Sequence, residues 1–244
     1  MELAYNGTAY HGWQIQKNAV SVQEVLNKAL SIVLRQPVET LGCGRTDAGV
    51  HAKQLYAHFD FPDAGLTQQG SKFITSVNAL LPYDITIKRV IAVAESAHAR
   101  FDATLRSYEY HLHFFKDPFK HGYSWLLLDK PDIDLMNQAA QILFEYQDFS
   151  CFSKSNTQTF TNNCRITRAE WIWKDEKLVF YISADRFLRN MVRAIVGTLL
   201  LVGKKQITPD DVKLIIESKN RSNAGTSVPA CGLYLTEVKY PYIY

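Results

Sequence analysis

The order in which the hydrophobic period switches along the chain constrains its fold more than any other feature. Glu2 to Tyr5 reads as a strand that turns at Asn6-Gly7. Ser21 opens a helix, with Ser21 and Glu24 as a capping box and Val22, Leu26, Ala29 and Val33 on one face. Val38 to Cys43 and Leu55 to Phe61 read as two strands. Phe73, Ile74, Val77, Leu80 and Leu81 define a second helix that stops at Pro82, and Ile85, Ile87 and Val90 to Val93 follow as a strand. This is the order β-α-β-β-α-β, the ferredoxin-like arrangement.

The order then recurs. Leu105 to Phe115 is a long strand, and Asp134 is placed to cap a helix with core face Leu135, Ala139 and Leu143. Ile166, Ala169, Trp171 and Trp173 alternate as a strand that turns at Lys174 to Lys177 into Leu178 to Ser183. Phe187 to Val202 is a helix, Thr208 and Pro209 start another as N-cap and first position, and Leu233 to Val238 closes the pattern. The halves share pattern, not sequence. The fold class expected is α+β. Two ferredoxin-like halves, residues 1–97 and 98–244, join into one mixed, mainly antiparallel sheet with a central active-site cleft. Lys116 to Tyr123 and the Ser-, Thr- and Asn-rich Phe152 to Asn163 are expected to be mobile loops.

Composition excludes several classes. With 47% hydrophobic and 21% charged residues, the chain has the apolar mass for a real core. A net charge of +3 permits a nucleic-acid partner but does not argue for one. Cys43, Cys151, Cys164 and Cys231 form no CxxC pair, which points to a reduced, cytoplasmic chain without a zinc site or disulfide framework. The most apolar stretch, Ala194 to Val202, is far short of the roughly 20 residues that span a bilayer. The histidines show no metal-ligand spacing, and His111 and His113 read as sheet residues, so no metal is expected.

Three stretches can carry chemistry. Leu41 to Ala52 reads LGCGRTDAGVHA and puts Arg45 and Asp47 among Gly42, Gly44 and Gly49. A P-loop needs Lys then Ser or Thr after its last glycine, where Val50 and His51 stand; a dinucleotide fingerprint needs glycine where Asp47 stands. What remains is either an ordinary turn or a carboxylate beside a guanidinium, suited to a nucleophile or base. Tyr108 and Tyr110, two apart on a strand, are either sheet aromatics or a platform for a base. Arg186, Arg189 and Arg193 recur at i, i+3 and i+7. They make a basic stripe that is a solvated face, a phosphate contact, or one arginine turned onto a carboxylate.

Eight stretches together resemble the TruA-type tRNA pseudouridine synthases over nearly the whole chain. They are AYNGTAYHGWQ (Ala4 to Gln14), SVQEVL (Ser21 to Leu26), GRTDAGVHA (Gly44 to Ala52), VNALLP (Val77 to Pro82), HARFDAT (His98 to Thr104), RSYEY (Arg106 to Tyr110), FLRNMVRAIVG (Phe187 to Gly197) and GLYL (Gly232 to Leu235). The resemblance implies that Asp47 is the catalytic aspartate, Tyr108 stacks on the target uracil, Arg193 is the partner of the aspartate, and Arg45 and Leu233 contact the substrate nucleotide. It further implies phosphate contacts at Arg186, Arg189, Lys204 and Lys205, and a cytoplasmic homodimer that uses no cofactor. The implied substrate is the tRNA anticodon stem-loop, at tRNA positions 38–40, with one tRNA touching both subunits. A non-catalytic tRNA-binding protein of the same fold and a base-removing hydrolase are the competing readings. The chain departs from the family in starting, at Met1, almost on its first strand, and in Lys116 to Leu128, which matches no family motif.

Overall fold

The structure, a computed structural model, describes residues 1–62, 66, 70–154 and 161–243. Its contacts separate into two units, Met1–Thr104 with Leu235–Tyr244, and Leu105–Tyr234.

The first unit begins β1 (Glu2–Tyr5), α1 (Val22–Leu34), β2 (Leu41–Gly42), β3 (His51–His58), α2 (Gly70–Leu80) and β4 (Ile85–Arg89). β1 is central and antiparallel to both neighbours, with Leu3 facing Leu55 on β3 and Ile87 on β4. Those three side chains are fully or almost fully buried. α1 buries Val22, Leu26, Ala29 and Leu30, and α2, packed against β4, buries Phe73 and Val77. Leu30 therefore completes the α1 stripe in place of the expected Val33, at the i+8 position of a core-facing helix. The Ser21 Oγ accepts from the Glu24 N–H at 3.3 Å, as the capping pattern predicts.

Three boundaries in this unit differ from expectation. β2 is only two residues long, because the N–H groups of Val38 and Thr40 go to the Ser31 and Asn27 side chains of α1 instead of a ladder. β3 starts at His51 rather than Leu55, since Ala52 already pairs with Tyr5. β4 ends at Arg89, opposite Glu2, where β1 runs out. Leu80, one of the apolar residues that define this helix in the sequence, is exposed.

The second unit runs β5 (Leu105–His113), β6 (Trp125–Leu126), α3 (Ile133–Ile142), β7 (Ile166–Lys174), β8 (Lys177–Ala184), α4 (Met191–Gly203), α5 (Asp211–Glu217) and the start of β9 (Leu233–Lys239). β8 lies between β5 and β7, antiparallel to both, so that Phe180 sits opposite Tyr110 and Trp171. β6 is parallel to β5, which makes the architecture mixed but mainly antiparallel. α3 is pinned to β7 through Asn137, which accepts from the Trp171 N–H at 2.7 Å and donates to its carbonyl at 3.1 Å. From Leu235 onward β9 belongs to the first unit, beside β3, where Val238 N–H donates to the Gln54 Oε1. The chain is thus α+β, and its elements follow the strand-helix order read from the sequence, with the short β6 added between β5 and α3.

Asp132, not Asp134, caps α3: its Oδ1 accepts from the Leu135 N–H, three residues on, while Asp134 already lies in the first turn. Thr208 does cap the following helix, trading bonds with Asp211, although regular α5 geometry starts only at Asp211. The largest correction concerns α4. It starts at Met191, not Phe187, because Asn190 takes a left-handed backbone (φ 68°) that an α-helix cannot contain. Arg186 and Arg189 therefore precede the helix, and the expected one-face stripe with Arg193 does not form. α4 is buried nearly all round, and only Arg193 and Leu201 are not. Its Thr198 hydroxyl turns inward, donating to the Ala194 carbonyl and accepting from the Gly225 N–H.

Lys116 to Tyr123, expected to be mobile, is tied down by Lys120, whose Nζ lies 3.2 Å from Asp117, 2.9 Å from Glu176 and over the Phe115 ring. Of the other expected mobile loop, residues 155–160 lie outside the described residues.

Candidate active site

In the first unit the glycine loop bridges β2 and β3, and several of its backbone groups are held by the segment from Tyr5 to Trp13. Trp13 N–H donates to the Thr46 carbonyl (3.4 Å), Gly49 N–H to the Tyr10 carbonyl (3.2 Å), and Gly7 N–H to His51 Nδ1 (3.1 Å). Within the loop, Val50 N–H closes a turn on the Asp47 carbonyl at 3.2 Å, with Gly49 at φ 79° where such a turn requires a positive angle. The indole of Trp13 covers Gly42 so closely that a Cβ there would lie 2.5 Å from its nitrogen. Tyr10 is fixed in turn by its hydroxyl, which donates to Asp84 at 2.6 Å; burial, then that carboxylate, push its pKa up. Asp47 ends half-buried and Arg45 exposed on this seated loop. A half-buried carboxylate on a fixed backbone can attack or deprotonate a bound molecule without first paying to order itself.

In the second unit Tyr108 and Tyr110 lie on β5. Tyr110 is fully buried, and its hydroxyl donates to the Pro229 carbonyl at 2.8 Å. Tyr108 is half-buried, with the Phe187 ring edge-on at 5.2 Å and 88°. The edge-on Phe187 fixes the orientation of the Tyr108 ring. Arg193, near the start of α4, donates from Nε to the Val228 carbonyl at 2.7 Å, and Val228 N–H returns to the Arg193 carbonyl. The stretch 225–233 thus anchors both Arg193 and Tyr110, and buried Leu233 ends it. Gly197 lets that stretch approach: a Cβ there would lie 1.9 Å from the Thr226 carbonyl oxygen.

The remaining sequence-predicted residues lie just before α4 and at its far end. Arg189 is exposed, and Arg186 is half-buried beside Asp185, whose carboxylate accepts from the Arg186 N–H. Lys204 and Lys205 lie at the opposite end of α4 from Arg193, about 16 Å along its axis. Lys205 is within 3.3 Å of the Asp132 carboxylate.

The sequence singled out Asp47, Tyr108 and Arg193 but not the residues that hold them: Tyr5, Tyr10, Gly12 and Trp13 around the loop of Asp47, Phe187 against Tyr108 and Val228 against Arg193. Gly7 and Gly12 were the available signal, since closely spaced glycines mark backbone approach. Among the described residues no group of three or more His, Cys, Asp or Glu is arranged to hold a metal ion. His111 instead meets Glu109 at 2.8 Å and stacks on Tyr234, and His113 bonds Ser124. Burial, the largest cause, lowers the pKa of His113. No helix among the described residues is long and apolar enough to cross a membrane.

Comparison with known proteins adds an independent observation. A family model described as tRNA pseudouridine synthase matches residues 139–241. A tRNA pseudouridine synthase A of Bacteroides fragilis is 52% identical over 240 residues, covering 98% of this chain and 94% of its own length. The protein of the same name from Parabacteroides distasonis is 49% identical, with the same coverage. That from Clostridium acetobutylicum is 38% identical over 98% of both chains.

Proposed function

The chain belongs to the tRNA pseudouridine synthase A family, and on that premise we propose that it isomerises uridine to pseudouridine in the anticodon stem-loop of tRNA, at tRNA positions 38–40. It is an isomerase, and its reaction needs no redox change and no external group. The N1–C1′ bond breaks, the uracil turns, C5 bonds to C1′, the C5 proton leaves and N1 gains one.

The observation that carries this reading is the seated loop around Asp47 in a chain so similar to its relatives end to end. Asp47 is the catalytic carboxylate, attacking C1′ or C6 or taking a sugar proton. Tyr108 stacks on the flipped uracil and offsets part of the few kcal/mol that extrusion costs. Arg193 supplies the positive charge that partners Asp47, while Arg45 and Leu233 contact the nucleotide. Arg186, Arg189, Lys204 and Lys205 meet phosphates, with Lys205 first giving up Asp132. The working form is a cytoplasmic homodimer, a setting that suits the four free cysteines.

The test is tritium release from uracil C5 in labelled tRNA, with the product nucleoside mapped. Purified chain should release tritium and leave pseudouridine in the anticodon arm, and Asp47→Asn should bind tRNA but release none. Abasic sites in place of pseudouridine would mean a hydrolase. Tight binding without any product would mean a binding protein.

A further inference from the structure

We propose that Tyr5 and Gly12 are positioning residues for Asp47, acting through Thr46; this rests on the assignment of Asp47 as the catalytic carboxylate. Thr46 precedes Asp47 in an irregular stretch of loop, so wherever Thr46 is held, the Asp47 Cα follows. Two contacts hold it. Its hydroxyl lies 2.8 Å from the Tyr5 hydroxyl, and its carbonyl accepts from the Trp13 N–H.

Tyr5 is a stiff support. It is the last residue of β1, it is 5% exposed, and its backbone is paired with Ala52 on one side and Ile85 on the other. Its ring stacks on the Trp13 indole, inclined 29° to it with centroids 6.5 Å apart. The phenol therefore carries the position of the sheet core to the residue beside the carboxylate.

Gly12 sets the same peptide from the other side. It sits at φ 86°, and a Cβ there would lie 2.2 Å from the Thr46 oxygen and 3.1 Å from the Asp47 carbonyl carbon. Both obstacles are backbone, so nothing flexible can yield, and the loop must move instead. Neither residue needs to touch the substrate for its loss to be felt, because a misplacement of about 1 Å at a reacting group costs on the order of 10²-fold in rate.

The experiment uses the full chain and tRNA tritiated at uracil C5, with kcat and KM measured separately and melting temperature recorded for each variant. Tyr5→Phe, which keeps the buried ring and loses the hydroxyl, is expected to lower kcat about tenfold with KM within about twofold. Thr46→Val should lose the same factor, and the double variant no more than either alone, because both remove one bond. Thr46→Ser should recover most of what Thr46→Val loses. Gly12→Ala should cost on the order of 10²-fold in kcat; should it fail to fold, the Tyr5–Thr46 cycle decides. A Tyr5→Phe variant at the parent kcat, losses that multiply in the double variant, or a loss confined to KM would overturn the proposal and leave this bond as mere scaffolding. Substantial tritium release by Asp47→Asn would instead overturn the assignment of Asp47 on which the proposal rests.

Discussion

The glycine loop of the first unit and the β5–α4 pair of the second place their functional groups by opposite means. Asp47 rides on irregular backbone, held by hydrogen bonds from residues 5–13 and by glycines that leave room for another chain segment. Tyr108 rides on a strand whose regular ladder sets its position, and Arg193 on a helix with its side chain tied to Val228. In the first region the fragile positions are those with no side chain, and damage shows in turnover. In the second, strand and helix also rest on large buried side chains such as Phe180, where damage shows in stability, although Gly197 is confined there as tightly as Gly12 is in the first.

The sharpest way to break that contrast is Phe180→Ala. Phe180 is fully buried, 4.9 Å from the Trp171 ring, and its truncation should cost about 3–5 kcal/mol in urea unfolding. Turnover per folded molecule should stay near the parent value; a loss of turnover as deep as that of a loop variant would dissolve the distinction. Next in size is Arg193→Met, expected to lower kcat by ~10²–10³-fold, the scale for removing one charged or hydrogen-bonding group from a reacting site. Arg193→Lys should retain part of the rate, less than an exchange of equals, because the Nε bond to Val228 goes with the fork. Equal rates for parent and Met variant would make this arginine an anchor for the 225–233 stretch and nothing more.

Tyr108→Ala should weaken kcat/KM by the equivalent of about 1–3 kcal/mol, while Tyr108→Phe, which keeps the ring, should lose much less through stacking. A Phe variant as poor as the Ala variant would show that the hydroxyl, not the ring face, is what matters. The smallest effect belongs to the pH dependence of the first unit. Burial alone would raise the Glu2 pKa, but bonds from Arg89, Tyr56 and Gln54 outweigh it and hold the carboxyl below its usual range. A depressed acid contributes stability above its unfolded pKa and loses it as pH falls through the folded value. Glu2→Gln should therefore flatten the stability profile below about pH 4.5 and change little at neutral pH. The Arg89 side chain is 43% exposed, so solvent screening keeps the effect under about 1 kcal/mol. An unchanged acid limb, read by thermal melts between pH 3 and 6, would remove this pair from the account.

The sequence by itself determined most of the element order and singled out the residues proposed to carry the chemistry, because both are written locally. Period 2 against period 3.6 survives in any window, and GRTDAGVHA needs only its own neighbours to be recognised. Even so, local rules failed at definite places. Val38 and Thr40 look like strand, but Ser31 and Asn27, which come earlier in the chain, take their N–H groups. Phe187 to Asn190 continues an apolar helical pattern, but the left-handed backbone of Asn190 delays the helix and removes Arg186 and Arg189 from it. Only the tertiary structure decided that Tyr5, Gly12 and Trp13 seat a loop far along the chain, and that Val228 receives Arg193. Those partners are chosen by distance in space. Nothing in a window around Asp47 or Arg193 records which distant carbonyl or hydroxyl the completed sheet will bring within 3 Å of it.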